Sequence, residues 1–203
     1  FSVHISKAAK EELLYARYVI AEKAGGKYRV ISPAAYISNP GKTAKNRYAF
    51  PQASSKKGLQ VSASMVEDAV ELNVQHSVLN IILSDLPAAG SRRNEKDAIP
   101  YRYNEETYWI NRTVVESYDR QLQTLKLSNT VVSAVLLLGY RQGYTGLIHP
   151  KARKKGYTYY AWNLSSQKSR QTFQALLSFL AERYSSRKTS CARIVNWIVG
   201  DRK

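Results

Sequence analysis

Apolar residues change their spacing near residue 57, and this change separates two kinds of predicted structure. Before it, residues 13–22 and 27–31 are rich in Tyr, Val and Ile and flank the pair Gly25-Gly26. Two β-forming runs around such a pair predict an antiparallel hairpin, because a tight hairpin turn needs positive φ. Residues 33–57 hold three Pro and several Ser and Asn, which predicts a long connection.

From residue 58 onward, apolar runs typical of strands alternate with apolar residues at helical spacing. Such alternation predicts an α/β fold with parallel strands and right-handed crossovers. Four strands of this kind make half of an eight-stranded (β/α)8 barrel, and a small open α/β sheet is the alternative. The predicted strands are 58–61, 78–83, 131–138 and 194–199, and the predicted helices are 65–72, 114–125 and 169–184.

Local signals refine the ends of these elements. Ser64 with Glu67, and Thr113 with Glu116, match the capping box that begins a helix. Residues 84–112 form a long polar insertion, in which two Tyr-rich runs around 104–106 predict a second hairpin.

Composition excludes several classes of protein. The 203 residues are 44% hydrophobic, which is ordinary for a globular protein, and no apolar run is long enough to predict a membrane span. The first residues have no pattern of a signal peptide. One Cys and three scattered His give no disulfide and no zinc spacing, and there is no phosphate-binding glycine loop or nucleophilic Ser motif. We therefore expect no metal and no cofactor.

The charge is large and unevenly distributed. The formal net charge is +16, with +8 in residues 1–60, −3 in residues 61–140 and +11 in residues 141–203. The densest basic run contains Lys151, Arg153, Lys154 and Lys155, and it is either a solvated loop or a binding surface for phosphates and other anions. An anionic polymer, either nucleic acid or a cell-wall polyanion, is therefore one candidate partner.

Five motifs carry a resemblance to a known group of proteins. The chain resembles a family of uncharacterised bacterial, largely clostridial, secreted or surface proteins, which itself resembles the (β/α)8-barrel glycoside hydrolases. Residues 21–40 are similar to the β-sandwich tail and linker that precede the barrel of that family. The motifs are KGLQV at 57–61, VLNIILSDL at 78–86, YYAWN at 159–163, FLAERY at 179–184 and RIVNWIVG at 193–200.

The resemblance also implies a departure from a working hydrolase. The family pattern after the fourth strand is Asn-Trp-Ile-Ile-Gly-Asn-Glu, where the Glu is the acid/base of related glycosidases. Here Asp201 occupies the Asn position and Arg202 occupies the Glu position. A guanidinium stays protonated and cannot act as a general acid/base. Asp201 is left as the one candidate catalytic carboxylate there, and the chain is expected to be a truncated amino-terminal portion that is inactive by itself.

Candidate binding residues follow the predicted strands. In a barrel, the loops after the strands form the functional face, and flat aromatic rings suit the C–H faces of sugars. Trp162, Tyr140 and Trp109 are the best aromatic candidates, with packing over the barrel end as the alternative. The polar candidates are Asn80 and Asn196 inside apolar strands, Asp85 after a strand, where a turn or cap role is the alternative, and His149 on the long loop, where a structural role is the alternative.

These observations combine into one hypothesis. Residues 1–40 are a β-hairpin from an accessory β-sandwich, residues 41–57 a linker, and residues 58–203 an incomplete, half (β/α)8 barrel. By resemblance, the function is that of a glycoside-hydrolase-like, carbohydrate-binding module of a secreted or surface protein, with a polysaccharide as partner. Binding of anionic polymers is the alternative. A half barrel leaves two open sheet edges, which predicts self-association.

Overall fold

The computed structural model describes residues 16–38, 52–153, 156–186 and 188–199, and the chain divides into two compact units, residues 1–49 and 50–203. The first unit contains the antiparallel hairpin of β1 (Ala21–Ala24) and β2 (Lys27–Val30). Gly25 and Gly26 form its turn with φ of 57° and 79°, so the predicted hairpin is confirmed. The first strand is shorter than predicted, and residues 13–15 lie outside the described residues.

The second unit contains six strands and three α-helices in its described part. None of the helices described is long and apolar enough to cross a membrane. The strands are β3 (Gly58–Gln60), β4 (His76–Ile82), β5 (Ala98–Tyr103), β6 (Glu106–Asn111), β7 (Val131–Leu137) and β8 (Ile194–Val199), and the helices are α1 (Val66–Glu71), α2 (Arg112–Lys126) and α3 (Gln167–Ser185).

Four strands form a parallel sheet in the order β3-β4-β7-β8. Each strand pairs with the next one of the sheet along the chain, and a helix lies in sequence between each pair. The longest register joins β4 to β7, from His76 opposite Val131 to Ile82 opposite Leu137. The predicted α/β class and the predicted parallel arrangement are therefore confirmed.

One face of this sheet forms the core with the helices. Alternate residues of β4 and β7 are buried, as expected where one face of a pleated strand meets other elements. They pack in one cluster with the apolar sides of α2 and α3. The buried members include Leu79, Ile81, Val132, Ala134, Leu136 and Ile194 from the sheet, and Val115, Leu122, Leu125, Leu176, Leu180 and Tyr184 from the helices.

The opposite face of the sheet is less covered. Its central row consists of Asn80, Val135 and Ile198, which lie opposite one another across three strands. Asn80 and Val135 are half-buried, and Ile198 is 45% exposed. This face therefore carries apolar side chains that the described residues do not bury.

A polar contact joins α2 to α3 at the edge of the core. Asp119 accepts hydrogen bonds from both Nε and Nη2 of Arg183, and its Oδ1 also accepts one from the Tyr184 hydroxyl at 2.9 Å. Burial and the Asp119 carboxylate raise the pKa of Tyr184. Burial also raises the pKa of the Cys191 thiol, which keeps it protonated and unsuited to nucleophilic chemistry.

The predicted polar insertion is more apolar in its packing than its sequence indicates. The hairpin of β5 and β6 is confirmed, with Asn104 in the left-handed region at φ 54°. However, Ala98 and Ile110 are fully buried, and the Tyr101 ring meets Phe179 edge-on at 5.4 Å. The Tyr101 hydroxyl donates to Ser178 on α3. The insertion is therefore a packed layer of the domain.

Both predicted capping boxes are wrong. Helix α1 begins after Met65, and no side chain caps it, while the Ser64 hydroxyl lies near that of Ser62. Thr113 lies inside α2, whose cap is Asn111, with the side-chain oxygen accepting from the Val114 amide at 3.4 Å. The capping pattern requires the Ser or Thr to stand at the helix boundary, and neither residue does.

Candidate functional site

The loops that follow the carboxyl ends of β4 and β7 meet each other and the β5–β6 hairpin. Ligand sites of parallel α/β folds usually form from such loops. Pro87 pairs with Ile110 of the hairpin, and Gly139 and Tyr159 pair across the ends of the long loop after β7. These bridges connect the loop after β4 to the hairpin and close the base of the loop after β7.

Arg141 ties the two loops together. Its Nη1 donates to the carbonyl oxygens of Ser84 and Pro87, both at 2.8 Å, and its guanidinium lies 4.5 Å from the centre of the Tyr144 ring. The Tyr144 hydroxyl in turn donates to the Ala88 carbonyl at 2.7 Å. Because these contacts cross between loops, the loop after β7 is fixed against the loop after β4.

Asn163 gives the loop after β7 its internal structure. This residue is buried, its Nδ2 donates to the Gly146 carbonyl, and its backbone amide donates to the Leu147 carbonyl at 2.7 Å. Leu147 and Ile148 pack with Leu138 in a small separate core. The loop is therefore a folded segment with its own apolar centre.

A cavity of about 480 Å³ lies among these loops, the hairpin and the start of α3. This volume is within the range of small-molecule sites. The wall combines aromatic rings, aliphatic side chains and a few charged groups. It is lined by Pro87, Ala88, Arg93, Glu106, Thr107, Tyr108, Trp109, Ile110, Gly143, Tyr144, Gly146, Leu147, Ser166, Lys168, Ser169, Thr172 and Leu176.

Three charged residues line this cavity. Glu106 accepts a hydrogen bond from the Tyr108 hydroxyl at 2.9 Å, whereas Arg93 and Lys168 have no hydrogen bond or ion pair from their side chains in the described part of the chain. Burial and the Glu106 carboxylate raise the pKa of Tyr108 to about 12, so its hydroxyl remains a donor at physiological pH.

The start of α3 forms one wall of the cavity. Ser166 caps the helix, since its hydroxyl accepts from the Ser169 amide, and the Ser166 amide itself donates to Asn163. Ser169 is 3% exposed, and its hydroxyl has no hydrogen-bond partner among the described residues. The start of the helix is therefore held in place by its own cap.

The three aromatic candidates have different surroundings. Trp109 lines the cavity and is half-buried. Trp162 packs against Phe173 at 5.0 Å and donates its indole N–H to the Ser169 carbonyl, so its polar atom is already used. Tyr140 is 64% exposed, and its ring centre lies 6.4 Å from that of Tyr160. Trp109 is therefore the aromatic candidate that belongs to the cavity.

The polar candidates do not gather in one place. Asn80 lines a second, shallower cavity of about 390 Å³ beside α2, and Asn196 is exposed and donates to Ser133 at 3.1 Å. Asp85 is half-buried in the 3₁₀ turn Leu83–Asp85. His149 accepts from the Lys151 amide at the start of a short turn, which is a structural contact.

The basic run is partly described. Lys151 is exposed, and Arg153 donates its Nε to the Ile148 carbonyl at 3.2 Å. Lys154, Lys155 and Asp201 lie outside the described residues, as does Arg202. Within the described ranges, no group of three or more His, Cys, Asp or Glu side chains is placed to hold a metal ion.

Sequence reasoning named some further wall residues and missed others. Tyr108 and Tyr144 belong to the aromatic rings after the strands that were candidates for ligand contact, ranked behind Trp162, Tyr140 and Trp109, and both line the cavity. Arg93, Lys168 and Ser169 were not predicted, although they line it as well. Arg93 and Lys168 carry no motif, because they approach the same cavity from segments that are 75 positions apart in the sequence.

Comparisons with known proteins place the second unit in a family. Residues 49–202 match the model of DUF5722, which is described as a family of unknown function. The match covers most of the chain, so the chain belongs to this family. Neither a curated protein nor a solved structure matches it.

Proposed function

We propose that this DUF5722 chain is a carbohydrate-binding domain of glycoside-hydrolase-like type, and that the cavity beside Trp109 holds the sugar. The observation that carries the proposal is a cavity of about 480 Å³ with Trp109 and Tyr108 in its wall, formed by loops that follow parallel strands. Aromatic rings pack against the C–H faces of sugars, and their polar atoms hydrogen-bond to hydroxyl groups. The resemblance to a secreted or surface family makes a polysaccharide at the bacterial surface the natural partner.

The parallel sheet supports the finer proposal of an incomplete (β/α)8 barrel. In a barrel every strand pairs with its sequence neighbour, as β3, β4, β7 and β8 do, whereas a doubly wound sheet reverses its strand order. The less covered face, with Asn80, Val135 and Ile198, corresponds to the interior of such a barrel. Asn80 and Asn196 then lie toward the interior, where further strands would bury the apolar residues.

We propose binding rather than hydrolysis because the cavity wall has too few carboxylates for hydrolysis. Glycoside hydrolysis normally needs two carboxyl groups across the scissile bond. The wall of the cavity has one carboxylate among its described residues, Glu106, and Tyr108 already occupies it. Asp85 follows β4 but is not in this wall. Arg202, at the family's acid/base position, cannot replace the missing acid.

The test is binding of a panel of gluco-, galacto- and manno-configured oligosaccharides, neutral and acidic, measured by calorimetry. We expect at least one member to bind, Trp109→Ala to weaken that binding about tenfold or more, and Trp109→Phe to retain most of it. Tyr140→Ala is the matched control, since this exposed ring lies outside the cavity wall. If no oligosaccharide binds, or if Trp109→Ala binds as well as the parent while both remain folded by circular dichroism, the proposal is wrong.

A second candidate, binding of anionic polymers through the basic run, is favoured by the net charge of +16 and by the exposed Lys151. It makes a different prediction about salt. Binding through phosphate contacts weakens steeply as salt rises, because counterions are released. A steep salt dependence that Lys154→Gln and Lys155→Gln reduce would support this function in place of the first.

A further inference from the structure

The wall of the cavity has a charge imbalance that a neutral sugar does not use. Arg93 and Lys168 line it with unpaired side chains in the described part of the chain, whereas its carboxylate, Glu106, accepts the Tyr108 hydroxyl. Two free cations against one engaged anion leave the wall with a net positive charge. Neither cation stabilises the fold through an ion pair, so both remain available to a ligand.

The position of Lys168 strengthens this imbalance. Lys168 lies in the first turn of α3, a helix of 19 residues, and Ser166 and Ser169 of the same turn also line the cavity. The first amides of a helix have no acceptor inside the helix, and the helix dipole favours negative charge at this end. The carboxyl-terminal part of the wall therefore combines the Lys168 ammonium with the amino-terminal end of the α3 dipole.

We propose that the sugar bound in this cavity carries an anionic substituent, a carboxylate or a sulfate, recognised by Arg93, Lys168 and the first turn of α3. This inference rests on the proposed function. In this proposal, the sugar ring and the acidic group of the ligand contact different walls of the cavity. The sugar ring packs on the hairpin side, against Trp109, and its acidic group points toward Arg93 and Lys168.

The chemistry of the two cations suits this role. A guanidinium binds a carboxylate or sulfate through two parallel hydrogen bonds, and an ammonium adds a mobile point charge. Both side chains are exposed in the free protein, so salt screens them and each adds modestly to affinity. Together they are expected to favour the acidic sugar about tenfold over its neutral counterpart, which corresponds to about 1.4 kcal/mol.

The experiment compares matched trisaccharides in three forms, neutral, uronic acid and sulfated, in the same three configurations as the panel above, by calorimetry at 150 mM NaCl. The test variant is Arg93→Gln with Lys168→Gln. The matched control is Arg92→Gln with Lys151→Gln, which removes the same charge from exposed positions outside the cavity wall.

We expect an acidic form to bind about tenfold more tightly than the neutral form, and the test variant to lose this preference while it keeps neutral binding within about twofold. The control pair should keep the preference. Whichever of the uronic acid and sulfated trisaccharides binds more tightly identifies the anionic substituent. Equal binding of acidic and neutral forms, or a preference that survives in the test variant, overturns the inference and leaves the proposed function intact. Absence of all binding, or insensitivity to Trp109→Ala, instead overturns the proposed function.

Discussion

At the scale of single residues, the hydrogen bonds of Asp119 form a contact between helices that does not belong to the wall of the candidate cavity. Asp119 accepts three hydrogen bonds, from two atoms of Arg183 and from Tyr184, and thereby joins α2 to α3. A carboxylate on the helix surface would ordinarily be read as solvated, and its partners are 64 and 65 positions away. The sequence cannot reveal this contact, because helix packing brings the partners together.

Replacing Asp119 by Ala is expected to lower the free energy of unfolding by about 2 kcal/mol, since hydrogen bonds to charged groups are worth about 1.5–3 kcal/mol. The buried Tyr184 hydroxyl then keeps the longer contact to the Val115 carbonyl, at 3.4 Å. Chemical denaturation followed by circular dichroism measures this. Glu116→Ala, an exposed carboxylate on the same helix, should change stability by no more than about 0.5 kcal/mol. Equal effects of the two substitutions would contradict the role assigned to Asp119.

Tyr108 should make stability depend on alkaline pH. Its pKa is raised from 10.0 to about 12 in the folded protein, so the folded state favours the protonated phenol. The stabilisation is therefore complete below pH 10, and it is lost as pH rises toward 12. We expect the difference in unfolding free energy between the parent and Tyr108→Phe to shrink across this window. A difference that stays constant from pH 9 to pH 12 would refute the prediction.

At the scale of elements, the apolar pattern predicted the strands well and the helix starts poorly. β4 and β7 are recognisable from their apolar residues, because alternate side chains of these strands enter the core. β8 has the same apolar pattern, although Ile194 is its one buried residue. The capping boxes were misplaced because a Ser or Thr followed by Glu also occurs beside or inside a helix. The packing of the hairpin was missed because its buried residues, such as Ala98 and Ile110, are interspersed with polar ones.

Mutation can show whether Asn111 or Thr113 caps α2. Asn111→Ala should destabilise the protein by about 1 kcal/mol, because it removes the side-chain acceptor of the Val114 amide. Thr113→Ala, which removes the residue that the sequence pattern favoured, should have little effect, since Thr113 is exposed within the first turn. Thermal unfolding of both variants measures this. If Thr113→Ala lowered the stability more than Asn111→Ala does, the predicted capping box would be supported instead.

At the scale of the whole chain, the sequence predicted the class of fold but not the site. Strand and helix alternation was enough for a parallel sheet, since each strand run is local. The candidate cavity depends on contacts between distant segments. Of the best-ranked binding candidates that the structure describes, Trp109 is the one in its wall. Trp162 showed why residue type is insufficient, because its ring and its N–H are both engaged in packing the loop.

Self-association is the property expected of the sheet as a whole. β3 and β8 are its terminal strands, and β8 exposes Ile198 and Val199 by 45% and 57%. Open edges with apolar side chains pair with other chains. We expect the purified 203-residue chain to show a concentration-dependent mass by analytical ultracentrifugation, and Ile198→Lys to shift it toward monomer. Tyr140→Lys, at an exposed aromatic residue outside the strands of the sheet, is the control. A parent that stays monomeric at high concentration would disprove the prediction.

The two carbonyl contacts of Arg141 have a consequence for how this domain can diversify. The Arg141 guanidinium holds the loop after β4 against the loop after β7. A change in the backbone of either loop would therefore weaken the contact that fixes the other. Substitutions that change ligand preference in this chain are therefore expected to be tolerated best on the two remaining walls, the hairpin and the beginning of α3. Exposed residues of those two walls, such as Thr107 and Lys168, can be exchanged while Arg141 continues to hold the two loops together.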